Sequence, residues 1–320
     1  MDGADLNGPS ARLGRALLVF GGSGQVGRQL RLALAPLGSV IAPTRAEADL
    51  TDADSLRAII ERVRPLVIVN AAAVTNVDQA ERDPALANAV NAIAPGIMAE
   101  AARRVGALMV HYSTDYVFDG ARRVPYDEEA QPNPINSYGR SKLAGERGVA
   151  STDVPHLIVR TSWVYSVTGA GFVASLLRDL PGKPTVRIVA DQVGSPTWSR
   201  SLAIATAALV RTAVRADEVV LNPADWGIYH LGGSGEGSRV EIAEVVIDAL
   251  GGRRLIGERP KIVPISAATF GAVAPRPHYS ALSNLRASKR FGITLQPWRA
   301  DLHRMVTEGY RQPERFLLDS

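Results

Sequence analysis

The stretch Arg15–Leu30, RALLVFGGSGQVGRQL, constrains the fold more tightly than any other. A strand-length apolar run stops at Gly21, and a helical pattern of apolar residues begins just after Gly24. Gly21, Gly24 and Gly27 recur with two residues between them, and Gly22 adds a Gly-x-Gly-x-x-Gly reading. Glycines at a strand-to-helix turn let backbone N–H groups approach a pyrophosphate, whose charge the helix N-terminus favours. The alternative is a tight turn that holds nothing. The flanking strand and helix point instead to a dinucleotide, held by Gly21, Gly24, Gln25, Val26 and Gly27.

The alternation continues downstream. Strand candidates RALLVF, SVIAP, LVIVN, ALMVHYS and HLIVRTSW are followed later by TVRIVA. Between the first five lie GRQLRLALAPLG, DADSLRAIIERVR, DPALANAVNAIAPGIMAEAARRVG and NSYGRSKLAGERGVAS, each with its apolar residues on one helical stripe. Strands separated by crossover helices predict an α/β fold, a doubly wound, mostly parallel Rossmann-type sheet. After about Ser166 the regularity fades, which predicts a smaller C-terminal α/β substrate-binding region. Residues 1–14 read as a polar extension and 15–165 as the dinucleotide-binding domain. Residues 166–320 are mainly the substrate-binding region, with the chain returning to the first domain around 186–230.

Composition removes several classes of function. The chain has 320 residues, 46% hydrophobic and 21% charged, which suits an ordinary globular protein with a substantial core. It has no cysteine, excluding disulfides, thiolate metal ligands and a cysteine nucleophile, and fitting a cytoplasmic location. The five histidines never fall at His-x-x-x-His spacing, so no metal site is expected, and His111 reads as a packed strand residue. A net charge of +4 without a long basic run argues against a nucleic-acid partner. No stretch reaches membrane-spanning length; SLAIATAALVRTAV, interrupted by polar residues, reads as a buried helix. The first fourteen residues lack the apolar segment of a signal peptide.

Ligands of such sheets bind beyond the carboxyl ends of the strands. After the second strand comes VIAPTRAEADLTD, where Thr44 and Arg45 occupy the strand end and the acids Glu47, Asp49 and Asp52 follow. A basic residue there suits the additional phosphate of NADP, so NADPH is expected, with NADH tolerated; the alternative is that Arg45 is a solvated loop residue. After the fourth strand, HYSTDYVFDG offers the hydroxyls of Ser113 and Thr114. Then NSYGRSKLAGE sets Tyr138 one helical turn ahead of Lys142, on one face. Hydride delivery to a carbonyl requires a proton at its oxygen, and a phenol with a pKa near ~10 needs adjusting for that work. A neighbouring ammonium is expected to lower it, while Thr114 holds the carbonyl oxygen. The alternative for Tyr138 and Lys142 is a solvated helix face.

These residues together resemble the extended short-chain dehydrogenase/reductase superfamily. The motifs GGSGQVG, ADLTD, VIVNAAAVTNVDQAE, VNAIAP, HYSTDYVFDG, NSYGRSKLAGE, RTSWVY, DQVGSPT, YHLGGSG and APRPHYSAL are, in order, similar to the dTDP-4-dehydrorhamnose reductase family. They run from about residue 15 to past 280. The resemblance implies reduction of the 4-keto group of dTDP-4-dehydro-L-rhamnose to dTDP-L-rhamnose, with Thr114, Tyr138 and Lys142 as catalytic residues. It implies that Asp49 and Leu50 contact the adenine part of the cofactor and that Ala71, Ala72 and Ala73 line the dinucleotide. Asp115, Trp163 and Arg276 are implied for the dTDP-4-keto-6-deoxy sugar, Arg276 as a diphosphate clamp. On residue type alone, Trp163 reads equally well as a core aromatic.

Tyr279 and Ala281 depart from the family's usual Asn and Arg, which leaves room for a different 4-keto-6-deoxyhexose. Gln29 replaces the glutamate that in some relatives joins a magnesium-linked dimer, so the expected state is a monomer or a homodimer without metal. A dehydratase of the superfamily carries Asp-Glu after the threonine, whereas this chain has Asp115 and Tyr116. An epimerase would usually show a Ser-Ser or Ser-Ala-type segment there. The rival from another class is a noncatalytic regulatory subunit built on the same fold.

Overall fold

The structure is a computed structural model and describes residues 13–167, 169, 171–252 and 256–309. Most of the polar extension read over 1–14 lies outside the described residues. Five strands follow the predicted alternation: β1 (Leu13–Phe20), β2 (Gly38–Ile41), β3 (Val67–Asn70), β4 (Leu108–Thr114) and β5 (His156–Thr161). A sixth, Gly227–His230, pairs with β5 at the sheet edge. All pairings are parallel, in the order Gly227–His230, β5, β4, β3, β1, β2.

Strands buried on both faces need no polar alternation, and these have almost none. In β1, Leu17 and Val19 face one apolar layer while Leu18 and Phe20 face the other. The first layer is closed by helix α1 (Gln25–Leu34) and the helix Ser199–Ala213, which contribute Leu30, Leu34, Leu202 and Leu209. The second is closed by α2 (Ala53–Val63) and the helix Ala94–Val105, through Leu56, Ile60, Met98 and Ala102. Each leucine or isoleucine so buried contributes about 1.5–3 kcal/mol. Local signals set the ends: the Asp52 side chain caps α2, and Arg64, at φ 45°, stops it.

β2 lies on one side of β1 and β3 on the other. The sheet therefore changes winding direction between β1 and β3, and a crevice opens beyond their carboxyl ends. Much of the remaining chain packs a third apolar cluster beside that crevice. It is built from helices Phe172–Asp179, Arg239–Gly251 and Trp298–Gly309, with Leu176, Val246, Leu250, Trp298 and Leu302 inside.

Two expectations change. TVRIVA does form a strand, Thr185–Val189, but it pairs with Lys261–Ile265 in a separate two-stranded sheet. Its apolar run is as short as any other, and only partners distant in sequence decide which sheet it joins. The long helix read through DPALANAVNAIAPGIMAEAARRVG is broken into Pro84–Asn88, a π-helical turn Ala89–Ile93, and Ala94–Val105. Among the described residues no helix is long and apolar enough to cross a membrane. SLAIATAALVRTAV lies mainly in the helix Ser199–Ala213, as expected.

Candidate active site

The glycine turn is shaped by backbone contact. Gly21 has φ 76°, and a Cβ there would lie 2.7 Å from the Ala72 backbone nitrogen, so the turn after β1 touches the loop after β3. At Gly27 a Cβ would sit 2.0 Å from the Gly21 carbonyl oxygen, so this glycine lets α1 press onto the turn. Gly24 opens α1 with no side-chain cap, and the first turn carries no acid. The positive end of the helix dipole is thus left to an anion.

A cleft of about 610 Å³ runs on from this turn. Gly21, Gly24, Gln25 and Val26 line it at one end, Ala71, Ala72 and Ala73 along one wall, and Thr114, Asp115, Tyr138, Lys142 and Trp163 further in. Gly27 lies behind the turn, outside the lining. Arg45, Asp49 and Leu50 are also outside it, beyond the end of β2, where Ala42 packs against Gly22. Arg45 is largely exposed and reaches Asp49 at 3.5 Å. Arg276 is outside the lining too: its guanidinium donates to Asp78 Oδ1 and to the Ala274 carbonyl, both at 3.0 Å.

Tyr138 and Lys142 are delivered by the helix Ser137–Ala150, whose first turn is capped by the Asn136 side chain accepting from Gly139 N at 2.8 Å. Thr114 is the last residue of β4, and Asp115 follows it directly. The Tyr138 ring meets Tyr116 edge-on, 5.9 Å between centroids, and its hydroxyl faces the same cleft as Thr114. Lys142 Nζ donates to the Tyr112 carbonyl at 2.6 Å.

Electrostatics depart from expectation at the tyrosine. Burial raises the Tyr138 pKa, the nearby Thr114 hydroxyl opposes this, and the Asp115 and Tyr116 charges add to the rise. Lys142 does not reverse it, because its ammonium points at a backbone carbonyl of β4. Burial brings Lys142 down to about 8, against the upward pull of Glu146 one turn further along. Asp115 is pushed up to about 6 by burial, although Ser280, Ser162 and Thr114 all donate to it. Where a dehydratase would place its second acid, Tyr116 is buried against Tyr138.

Some participants lie inside the motifs VNAIAP, NSYGRSKLAGE and RTSWVY without having been singled out from them. Asn91, in the π-helical turn, is fully buried and clamps both polar groups of the Val74 backbone while donating to Ser141 Oγ at 3.1 Å. It ties the loop after β3 to the helix bearing Tyr138. Beneath Lys142, Arg160 of β5 and Glu146 form a bidentate pair at 2.8 and 2.7 Å, and Ser113 Oγ also donates to Glu146. Trp163 sits at φ 44°, a left-handed conformation unusual for a bulky residue. Arg239 lines the cleft beside it.

The parallel sheet, its winding switch and the Tyr-x-x-x-Lys helix at the cleft define an extended short-chain dehydrogenase/reductase architecture. Similar folds include the UDP-glucose 4-epimerase of Thermotoga maritima, 19% identical with a TM-score of 0.73, covering 93% of this chain and 99% of that one. The RmlD substrate binding domain family matches residues 15–311, and the chain belongs to it. It is 44% identical to the dTDP-4-dehydrorhamnose reductase of Burkholderia thailandensis over 287 residues, 88% of this chain and 95% of the relative. To the Salmonella typhimurium enzyme of that name the identity is 38% over 298 residues, 91% and 97% of the two chains. The crystal structure of dTDP-4-dehydrorhamnose reductase from Bacillus anthracis in complex with NADP superposes with a TM-score of 0.83 at 33% identity, covering 92% of this chain and 99% of that one.

Proposed function

We propose that this protein reduces the 4-keto group of dTDP-4-dehydro-L-rhamnose to give dTDP-L-rhamnose, using NADPH and tolerating NADH. The observation that carries this reading is the continuity of the cleft, which joins the glycine turn to Thr114, Tyr138, Lys142 and Trp163. The turn fits the cofactor's pyrophosphate: its glycines leave no room for side chains, and α1 presents an uncapped, acid-free N-terminus. The wall formed by Ala71, Ala72 and Ala73 suits the rest of the dinucleotide.

Bound NADPH supplies a hydride to the keto carbon. Tyr138 gives its hydroxyl proton to the carbonyl oxygen, so hydride and proton together convert ketone to alcohol. A raised pKa suits this direction of reaction, because the phenol is fully protonated when the substrate arrives. The phenolate left behind is steadied by the Lys142 ammonium, one helical turn away, once that ammonium swings from the Tyr112 carbonyl it faces in the structure. Thr114 orients the carbonyl oxygen. In the structure its hydroxyl hydrogen points to Asp115 Oδ1 at 3.1 Å, so donating to a carbonyl requires that hydroxyl to turn. Arg45, held only by an exposed pair with Asp49, is placed to exchange that weak partner for the additional phosphate of NADPH. The same reading has the protein working in the cytoplasm as a monomer or homodimer, without a nucleic-acid partner.

The test is loss of NADPH absorbance on addition of dTDP-4-dehydro-L-rhamnose, with product stereochemistry read by NMR. Turnover giving dTDP-L-rhamnose supports the proposal. No turnover, together with tight binding to another protein, would move the chain to the regulatory class.

A further inference from the structure

Among the described residues, the proposed reaction leaves one cleft-lining cation, Arg239, without a task. Arg239 is the first residue of the helix Arg239–Gly251, where a positive side chain works against the helix dipole. Its guanidinium carbon lies 4.4 Å from the centre of the Trp163 ring and 5.2 Å from that of Phe172, and its Nε donates to Gln192 Oε1 at 3.1 Å. Two aromatic faces and one amide therefore fix the plane of the fork. Among the described residues no carboxylate forms an ion pair with it; Asp115, the acid nearest in influence, is occupied by three hydroxyl donors. Its other charged neighbour is Arg276, of the same sign and already bound to Asp78.

The location narrows the ligand. Arg239 stands beside the Tyr116 hydroxyl, and Tyr116 packs on Tyr138, so the guanidinium borders the ketone-reducing end of the cleft. The cofactor's pyrophosphate has its own seat at the glycine turn. The Trp163 ring on which Arg239 lies is itself wedged in place, its Nε1 edge packed closely on Gly194. A planar fork that meets only the Tyr116 hydroxyl and the Gln192 amide, and no carboxylate among the described residues, matches a phosphate in bidentate fashion, and a nucleotide sugar brings two.

We infer that Arg239 takes hold of the diphosphate of the nucleotide sugar and sets specificity for that group, acting in substrate binding and not in hydride transfer. This rests on the reaction proposed above. It also reassigns a task the sequence resemblance implied for Arg276, whose guanidinium is engaged by Asp78 and the Ala274 carbonyl outside the cleft lining.

The experiment is a calorimetric titration of the NADP-bound protein with dTDP and, separately, with thymidine, for wild type, R239M and R239K. Methionine keeps an unbranched stem against Trp163 and Phe172 while removing the charge. R239M is expected to bind dTDP at least about tenfold more weakly, with thymidine and NADPH affinities unchanged and R239K intermediate. In turnover, KM for the keto sugar should rise by the same factor while kcat stays within about threefold. Unchanged dTDP binding in R239M would overturn the inference, as would an equal loss for thymidine or NADPH, which would mark a structural role. Wild-type protein that binds no dTDP would instead remove the nucleotide-sugar reading itself, and the inference with it.

Discussion

Replacing Glu146 with Gln should reach both the stability of the fold and the charge of Lys142. In the native protein, Arg160 and Glu146 are 1% and 2% exposed, and their two charge-assisted hydrogen bonds measure 2.8 and 2.7 Å. Glutamine keeps the shape and one acceptor, but its amide nitrogen faces a guanidinium nitrogen, donor against donor, and the Arg160 charge is left buried. Breaking a buried pair from one side costs about 3–5 kcal/mol. Losing one or two charge-assisted bonds, at about 1.5–3 kcal/mol each, gives about 1.5–6 kcal/mol, which brackets that figure. Against a total stability of about 5–15 kcal/mol the variant still folds, with a visibly lower urea midpoint. A double variant, E146L with R160M, should recover much of the loss, because no charge is then stranded.

The second readout is catalytic. Lys142 has a pKa depressed by burial, so its ammonium is present below about 8 and is lost as pH rises through that value. The kcat/KM for reduction should therefore fall above about pH 8, tenfold per pH unit in the limit. Glu146 holds that proton on, so in E146Q the alkaline limb should move to lower pH. A stability loss under about 1 kcal/mol would refute the packing argument. An unmoved alkaline limb in a destabilised variant would refute the electrostatic one.

Replacing Tyr138 with Phe removes the proton donor: kcat should drop by at least about a hundredfold while NADPH affinity barely changes, and near-normal turnover would contradict its role. Arg45→Gln should lower kcat/KM for NADPH several-fold and leave the NADH value close to wild type, as read in parallel steady-state assays; equal losses would return Arg45 to the solvated surface. Gly27→Ala places a methyl group 2.0 Å from the Gly21 carbonyl oxygen, so the turn must shift. Thermal unfolding should show a loss of about 1–3 kcal/mol, accompanied by weaker NADPH binding, and a variant as stable as wild type would deny the close packing of α1 on the turn.

What could be read from the sequence, and what could not, follows from the range of the forces involved. β1, the glycine turn and α1 are adjacent in the chain, so pattern and turn chemistry suffice to place them. Thr114 and the Tyr138–Lys142 pair are also legible, since a strand end and a helical spacing determine where each side chain emerges. The destination of Thr185–Val189 depends on a partner more than seventy residues away, and no local pattern encodes it. Asn91 stands in the motif VNAIAP, but its clamping role is not legible there because a π-helical turn is not distinguishable from the α-helix around it by apolar period. Arg239 belongs to none of the motifs quoted from the sequence, and only the fold sets Trp163 and Phe172 against it. The direction of the Tyr138 shift was missed because desolvation is a property of the assembled core, whereas the neighbouring lysine is visible in the sequence.

The edge strand Gly227–His230 has a consequence for biosynthesis. It joins β5 only after roughly 65 further residues have left the ribosome, about 3–13 s at ordinary synthesis rates. During that interval the unpaired edge of β5 is a sticky surface, open to a neighbouring nascent chain or to a chaperone. A fragment ending soon after β5 would carry that liability permanently. Its recovery in soluble form should therefore depend on supplying the segment through His230, however complete its glycine turn and its Tyr-x-x-x-Lys helix.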